Sequence, residues 1–264
     1  MNDHWLKQTV VAPLFDKLLW SRPENKLHSG RVLVIGGSIG GFSKTVNSYG
    51  KLLGAGVGQV TVLLPKAVQK IIGHISSDVI YCPSTDSGSF SSEALAEMLD
   101  LSTSADGIFL SGELSNNSQT LVTIEKLVSS VSSPIIVAND SFDLLLHYDA
   151  NLIKKENFIY IGSLDKIQKL FSKLKSAKPI TSNMALSNLV EVLVEFTLNN
   201  RLSIATRHLD FVIIAVGGKV VTTKIATDKD RSIDELVHHV VCWIVQNPSQ
   251  KLEALSCAAV TYQS

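Results

Sequence analysis

The sequence predicts an α/β protein in which a mostly parallel sheet is covered by helices on both faces. Short β-branched runs alternate with amphipathic helical stretches along most of the 264 residues. Most of these runs are apolar at successive positions rather than at every second one. Strands apolar on both sides are buried on both sides, as parallel strands between helical layers are. A third observation adds an antiparallel pair late in the sheet. Phe211–Val216 and Lys219–Lys224 are separated only by Gly217 and Gly218, a β-hairpin signature.

Residues 1–24 precede the first strand and read as a helical extension. Val32–Ile35 is a short apolar strand, and it runs into a turn rich in glycine, Gly36 to Gly41. Ser43–Leu53 is amphipathic and reads as the helix behind that turn. Gln59–Leu64 is the next strand. Ser91–Leu99 is a helix, Gly107–Leu110 a strand, Ser118–Val128 a helix and Pro134–Val137 a strand. Ser141–Leu146, Asn157–Ile161 and Asp165–Leu174 continue the alternation as helix, strand and helix. Ala185–Thr197 and Ile233–Gln246 are long helical runs, and Lys251–Val260 is a closing helix. Ser-rich stretches at 84–92 and 102–118 read as surface loops. No stretch is rich enough in Pro, Gly or Ser to divide the chain, so residues 1–264 read as one domain.

Lys plus Arg and Asp plus Glu balance at 24 each, so no basic field favours nucleic acid. No run approaches the roughly 18 apolar residues of a membrane span. Cys82, Cys242 and Cys257 are odd in number, far apart and without zinc spacing, which reads as reduced thiols in a cytoplasmic protein. The N-terminal residues lack the apolar core of a signal peptide.

A strand, a glycine-rich turn and a helix N-terminus together form a generic anion site, because free N–H groups and the helix dipole favour negative charge. The alternative is a tight strand-to-helix connection without a ligand. The dinucleotide fingerprint fails because Ser38 stands where its second glycine is needed. Ser38 to Thr45 carries Lys44-Thr45 in a phosphate-loop position, but both defining glycines are serine. In open parallel sheets ligands bind beyond the carboxyl ends of the strands. The Gly36–Gly41 turn, Ser111–Asn117 and Ala138–Ser141 would lie there. Asp140 and Asp234 each precede or open a helix, so each reads as a cap or as a catalytic carboxylate. His238 and His239 read as packing or surface residues.

Two blocks carry a resemblance. Asn25-Lys-Leu-His-Ser-Gly-Arg-Val-Leu-Val-Ile-Gly-Gly-Ser38 is followed by a helix and then by Leu53-Gly-Ala-Gly-Val-Gly-Gln-Val-Thr-Val-Leu-Leu-Pro65. In order and spacing they resemble the opening of the ADP/ATP-dependent NAD(P)H-hydrate dehydratases. Ala105–Ser115 and Pro134–Leu145 match that family's later blocks more faintly. The resemblance implies a ribokinase-like, three-layer α/β/α fold. It implies that ATP or ADP, with Mg2+, phosphorylates the hydroxyl of hydrated NADH or NADPH, and that loss of phosphate restores the cofactor. It also implies a homo-oligomer acting on small molecules.

By the same resemblance, Asp234 is the catalytic base, and Gly36, Gly37, Ser38, Lys44, Asp140 and Gly217 lie at the cofactor site. Gly112 and Ser115 contact the substrate, and no protein residue is assigned to a metal. Several family motifs are altered. The Gly-Thr-Gly-Asp turn becomes Arg231-Ser232-Ile233-Asp234, and β-branched Ile233 resists positive φ. The Gly-Pro-Gly-Leu-Gly turn becomes Ser111-Gly-Glu-Leu-Ser115, which puts Glu113 where a polyanion would approach. The His-bearing substrate segment becomes roughly Ile161–Lys166, and Lys44 replaces a small alanine. A divergent working enzyme and a catalytically inactive relative with a structural or regulatory role are therefore both expected readings. The enzyme requires Asp234 to share a cavity with Asp140 and Gly36–Ser38. The inactive relative has that cavity filled or lined by Glu113.

Overall fold

The computed structural model describes residues 4–138, 140–225 and 232–263. The order begins with β1 (Trp5–Gln8), α1 (Asp16–Trp20), a 3-10 turn (Lys26–His28), β2 (Arg31–Gly36), α2 (Ser43–Ala55) and β3 (Gln59–Pro65). Next come α3 (Lys66–Ile72), β4 (Val79–Cys82), α4 (Ala94–Ser104), β5 (Gly107–Ser111), α5 (Ser118–Ser130), β6 (Ile135–Ala138), α6 (Ser141–Leu145) and α7 (Ala150–Ile153). The chain finishes with β7 (Phe158–Ile161), α8 (Leu164–Lys173), α9 (Leu186–Asn200), β8 (Ser203–His208), β9 (Phe211–Val216), β10 (Lys219–Lys224), α10 (Ile233–Gln246) and α11 (Lys251–Thr261).

All the strands join one sheet in the order β1-β10-β9-β8-β7-β6-β5-β2-β3-β4. Only β9 runs against its neighbours, pairing antiparallel with both β8 and β10; the other pairings are parallel. Strand residues alternate between two cores, as a period of two requires. In β2, Leu33 and Ile35 point into the layer of α4 to α9, whereas Val32 and Val34 face the layer containing α2, α3, α10 and α11. That is the three-layer architecture the apolar runs predicted.

Three corrections follow. The opening residues are not purely helical. Trp5–Gln8 forms β1, a parallel edge strand on β10, in register Trp5↔Val220. Its anchor is Gln8, whose amide nitrogen donates to Thr223 Oγ1 at 2.8 Å and to the Ser256 carbonyl at 2.9 Å, and whose Oε1 accepts from Leu14 N–H. The short strands β4 and β8 also escape the sequence reading, β4 for lack of length and β8 because Ser203 and Arg207 break its apolar run. The Ser-rich 84–92 stretch is packed inward, with Ser89 and Phe90 fully buried, while 102–118 contains β5.

The strand order reverses at β2, which lies between β3 and β5. Chain from β2 proceeds to one side, then returns across β2 to build the other, so the crevice of an open parallel sheet falls beyond the ends of β2 and β5. Two glycines of the blocks that carry the resemblance, just before β2 and β3, serve packing. A Cβ on Gly30, whose φ is +80°, would stand 2.6 Å from Val245 Cγ2, and one on Gly58 would stand 1.9 Å from the Lys26 carbonyl oxygen. Arg22 ties this end together. Its guanidinium donates to the Ala55 carbonyl and reaches Cys242 Sγ at 3.5 Å, lying 5.5 Å from the Trp243 ring. Cys82, Cys242 and Cys257 are free and buried.

Gln8→Ala removes three hydrogen bonds at a buried position and leaves Thr223 and the Ser256 carbonyl without this donor. It should lower the unfolding free energy by about 2 kcal/mol, read from urea denaturation, with the m-value unchanged.

Candidate functional site

The β2–β5 crevice is built on missing side chains. A Cβ on Gly36 would lie 1.6 Å from the Ser111 carbonyl oxygen, and one on Gly112 would lie 2.7 Å from Thr45 Oγ1. Their absence lets α2 press against the end of β5. Thr45 Oγ1 then donates to the Ser111 carbonyl at 2.9 Å, and the Ser48 and Ser111 hydroxyls bond at 3.1 Å. Gly37 and Gly112 both have positive φ, +83° and +72°, which suits residues without Cβ. Beyond the strand, the turn is braced by Ile39 N–H donating to the Gly88 carbonyl and Gly41 N–H to that of Ser38. Ser38 is 5% exposed. The N–H groups of Gly37, Ser38 and Gly40 find no backbone partner among the described residues.

Of the sequence-predicted residues, Lys44 and Asp140 pair beside this turn, and Asp234 is near enough for its charge to act on Lys44, although neither Asp234 nor Gly36–Ser38 lines the cleft that Asp140 borders. Lys44, in the first turn of α2, donates to Asp140 Oδ2 at 2.8 Å. That bond raises the Lys44 pKa above the ordinary lysine value, and the charge of Asp234 adds to the rise. Asp234 lies half-buried in the first turn of α10, where its charge also suits the helix dipole. Asp140 occupies the position before α6 but makes no side-chain cap, so its carboxylate serves Lys44 instead. Ser232, before α10, has extended backbone and no side-chain cap bond. Arg231 lies outside the described residues.

Gly112 and Ser115 belong to the same edge. Ser115 has φ +67° and its hydroxyl accepts from Asn117 N–H. A cleft of about 330 Å3 is lined by Glu113, Leu114, Ser115, Asn116, Asp140, Asp143 and Leu144. Glu113 folds back onto the glycine turn, its Oε2 2.7 Å from where a Gly41 Cβ would sit. Gly217 does not join them. Val216 pairs with Ser203, at the start of β8, so the hairpin glycines sit at the opposite edge of the sheet. The sequence reading there fails because β9 runs backwards.

Asp143 was missed. It accepts from both Lys166 and Lys169, the latter at 2.7 Å. Its signal was the spacing of those lysines, three apart on one helix face. His238, one turn after Asp234, is buried against Phe109, with ring centroids 6.2 Å apart. Burial, reinforced by the charge of Lys51, pushes its pKa down to about 4. Among the described residues no three His, Cys, Asp or Glu side chains converge to hold a metal.

The fold is that of the ribokinase-like α/β proteins. A ribokinase-like superfamily protein from Enterococcus faecalis superposes with TM-score 0.72 at 14% identity, over 100% of this chain and 87% of that one. The chain is similar to NAD(P)H-hydrate repair proteins. An ADP/ATP-dependent NAD(P)H-hydrate dehydratase from Bacillus subtilis, co-crystallised with ATP/Mg2+ and soaked with CoA, superposes with TM-score 0.63 at 14% identity, over 94% of this chain and 85% of that one. The bifunctional NAD(P)H-hydrate repair enzyme of Moorella thermoacetica is 30% identical over 118 residues, which is 44% of this chain and 22% of that protein. The match thus spans about a fifth of that relative's length. No family model matches the chain. These findings support the resemblance read from the sequence.

Gly36→Ala should cost about 3 kcal/mol or more, because the new methyl meets backbone. Gly54→Ala, in α2 with nothing within 4 Å, should instead stabilise by about 0.5–1 kcal/mol; thermal unfolding of both reads the contrast. His238 is neutral when folded and titrates near 6.5 when unfolded. Its contribution is therefore complete above pH 6.5 and lost as pH falls toward 4. Between pH 7 and pH 5 the unfolding free energy should drop by roughly 2 kcal/mol from this residue, and His238→Gln should remove that part of the slope.

Proposed function

We propose that the chain dehydrates hydrated NADH or NADPH in a reaction driven by ATP or ADP. What supports this reading best is the placement of Lys44, whose ammonium lies in the joint field of Asp140 and Asp234 at the switch point of the sheet. Transfer of a phosphoryl group to a hydroxyl needs a carboxylate to take the hydroxyl proton and positive charge facing the transferring oxygens. Asp234 is the base in this reading. Lys44, released from Asp140, meets the phosphoryl oxygens, and the N–H groups of Gly37 and Ser38 are further donors to them in this reading. Gly112 and Ser115 shape the substrate end. Mg2+ would come on the nucleotide's phosphates, where it offsets charge, since such ions keep few protein ligands.

Gly217 has no role in this reading, being on the far edge. No described helix is long and apolar enough to cross a membrane; a cytoplasmic homo-oligomer is part of the same proposed reading. A second reading, a non-catalytic relative of the same fold, is favoured by Glu113, which lines the cleft as that reading expects.

Incubation with ATP or ADP, Mg2+ and NADH hydrate should restore reduced-nicotinamide absorbance. Asp234→Asn should slow recovery by about 100-fold or more. Equal rates in both proteins would remove Asp234 from the mechanism, and no recovery in the unaltered protein would leave the non-catalytic reading.

A further inference from the structure

The carboxylates of the cleft are not equivalent. Asp140 is neutralised by Lys44, and Asp143 by Lys166 and Lys169. Glu113 lines the same cleft, yet among the described residues it has neither an ion-pair nor a hydrogen-bond partner. Its side chain is exposed and rests on Gly41, with Oε2 and Cβ at 2.7 and 3.1 Å from the point where a Cβ would be. Only the absence of a side chain at Gly41 allows that pose. Glu113 therefore presents an uncompensated negative charge at the cleft, beside the glycine turn on which it rests.

We propose that Glu113 is a specificity-determining residue that grades ligands by their phosphate charge, favouring the nicotinamide compound with the fewest phosphates. The inference rests on the nicotinamide reading of the site and names the substrate class within it. An unpaired carboxylate repels each added phosphate through a partly solvated path, so the discrimination grows with ligand charge and fades with salt. NADPH differs from NADH by a phosphate monoester of about −1.5 to −2 charge. NADH in turn differs from reduced nicotinamide riboside by its pyrophosphate and adenosine. Glu113 thus disfavours NADPH most and the uncharged riboside least.

The test measures the affinity of reduced nicotinamide riboside, NADH and NADPH for the unaltered protein and for Glu113→Gln, by titration calorimetry at low and high salt. Glutamine has the same shape, and Glu113 is exposed, so the variant should unfold at an unchanged temperature. At about 50 mM salt the substitution should leave the riboside within about twofold, tighten NADH by about threefold and tighten NADPH by about tenfold. At about 0.5 M salt those gains should vanish. Equal gains for all three probes, no gain for any, or no binding of any probe to either protein would overturn the proposal. A graded gain in a protein that fails to repair NADH hydrate would overturn the proposed activity while leaving the role of Glu113 standing.

Discussion

Everything at the candidate site depends on how closely α2 approaches the ends of β2 and β5. Gly36 and Gly112 have no side chains there, and Thr45 uses the space to hydrogen-bond the Ser111 carbonyl. This contact fixes the start of α2 over the sheet's switch point. It thereby fixes where Lys44 stands and which carboxylates it meets. The glycine turn is thus a packing device first. Its freed N–H groups follow from the same absence of side chains.

The architecture was largely legible because burial on both faces leaves a plain trace. β2, β5, β6 and β7 are apolar at successive residues, β3 is so from Val62 on, and the limits of β9, β10 and α10 agree with the sequence reading to the residue. What escaped depends on partners far along the chain. β1 is four residues long with Lys7 in it, and only its pairing with β10 makes it a strand. Gly217 illustrates the opposite error, where local chemistry is right and direction is wrong. A two-glycine turn says that the chain reverses, but not at which edge of the sheet. Asp234, Asp140 and Lys44 were individually ambiguous, and only the fold brings their charges together.

The glycines that mark the resemblance and those that the family uses for phosphate have fared differently. Gly30, Gly36 and Gly58 stay where a methyl group would strike neighbouring atoms, two of them backbone carbonyls. By the resemblance, the glycines of the family's later turns stand here as Ser111, Glu113, Ser115, Arg231 and Ile233, and Ser115 keeps a positive φ of +67° that a glycine would adopt more easily. Packing constraints act on the folded chain whatever it binds, whereas ligand constraints act only while the ligand matters. The contrast separates what the fold demands of a glycine from what a ligand would demand of it.

The edge strand β1 has a further consequence, for assembly. Gln8 and its partner Thr223 are 215 residues apart in sequence, so the sheet's outer edge cannot close until the hairpin of β9 and β10 has formed. During synthesis these first residues leave the ribosome long before their partner exists, and they must stay unpaired through most of translation. Closing so large a loop is slow. Until β1 docks, the edge of β10 carries unpaired backbone groups, the kind of edge that pairs with other chains.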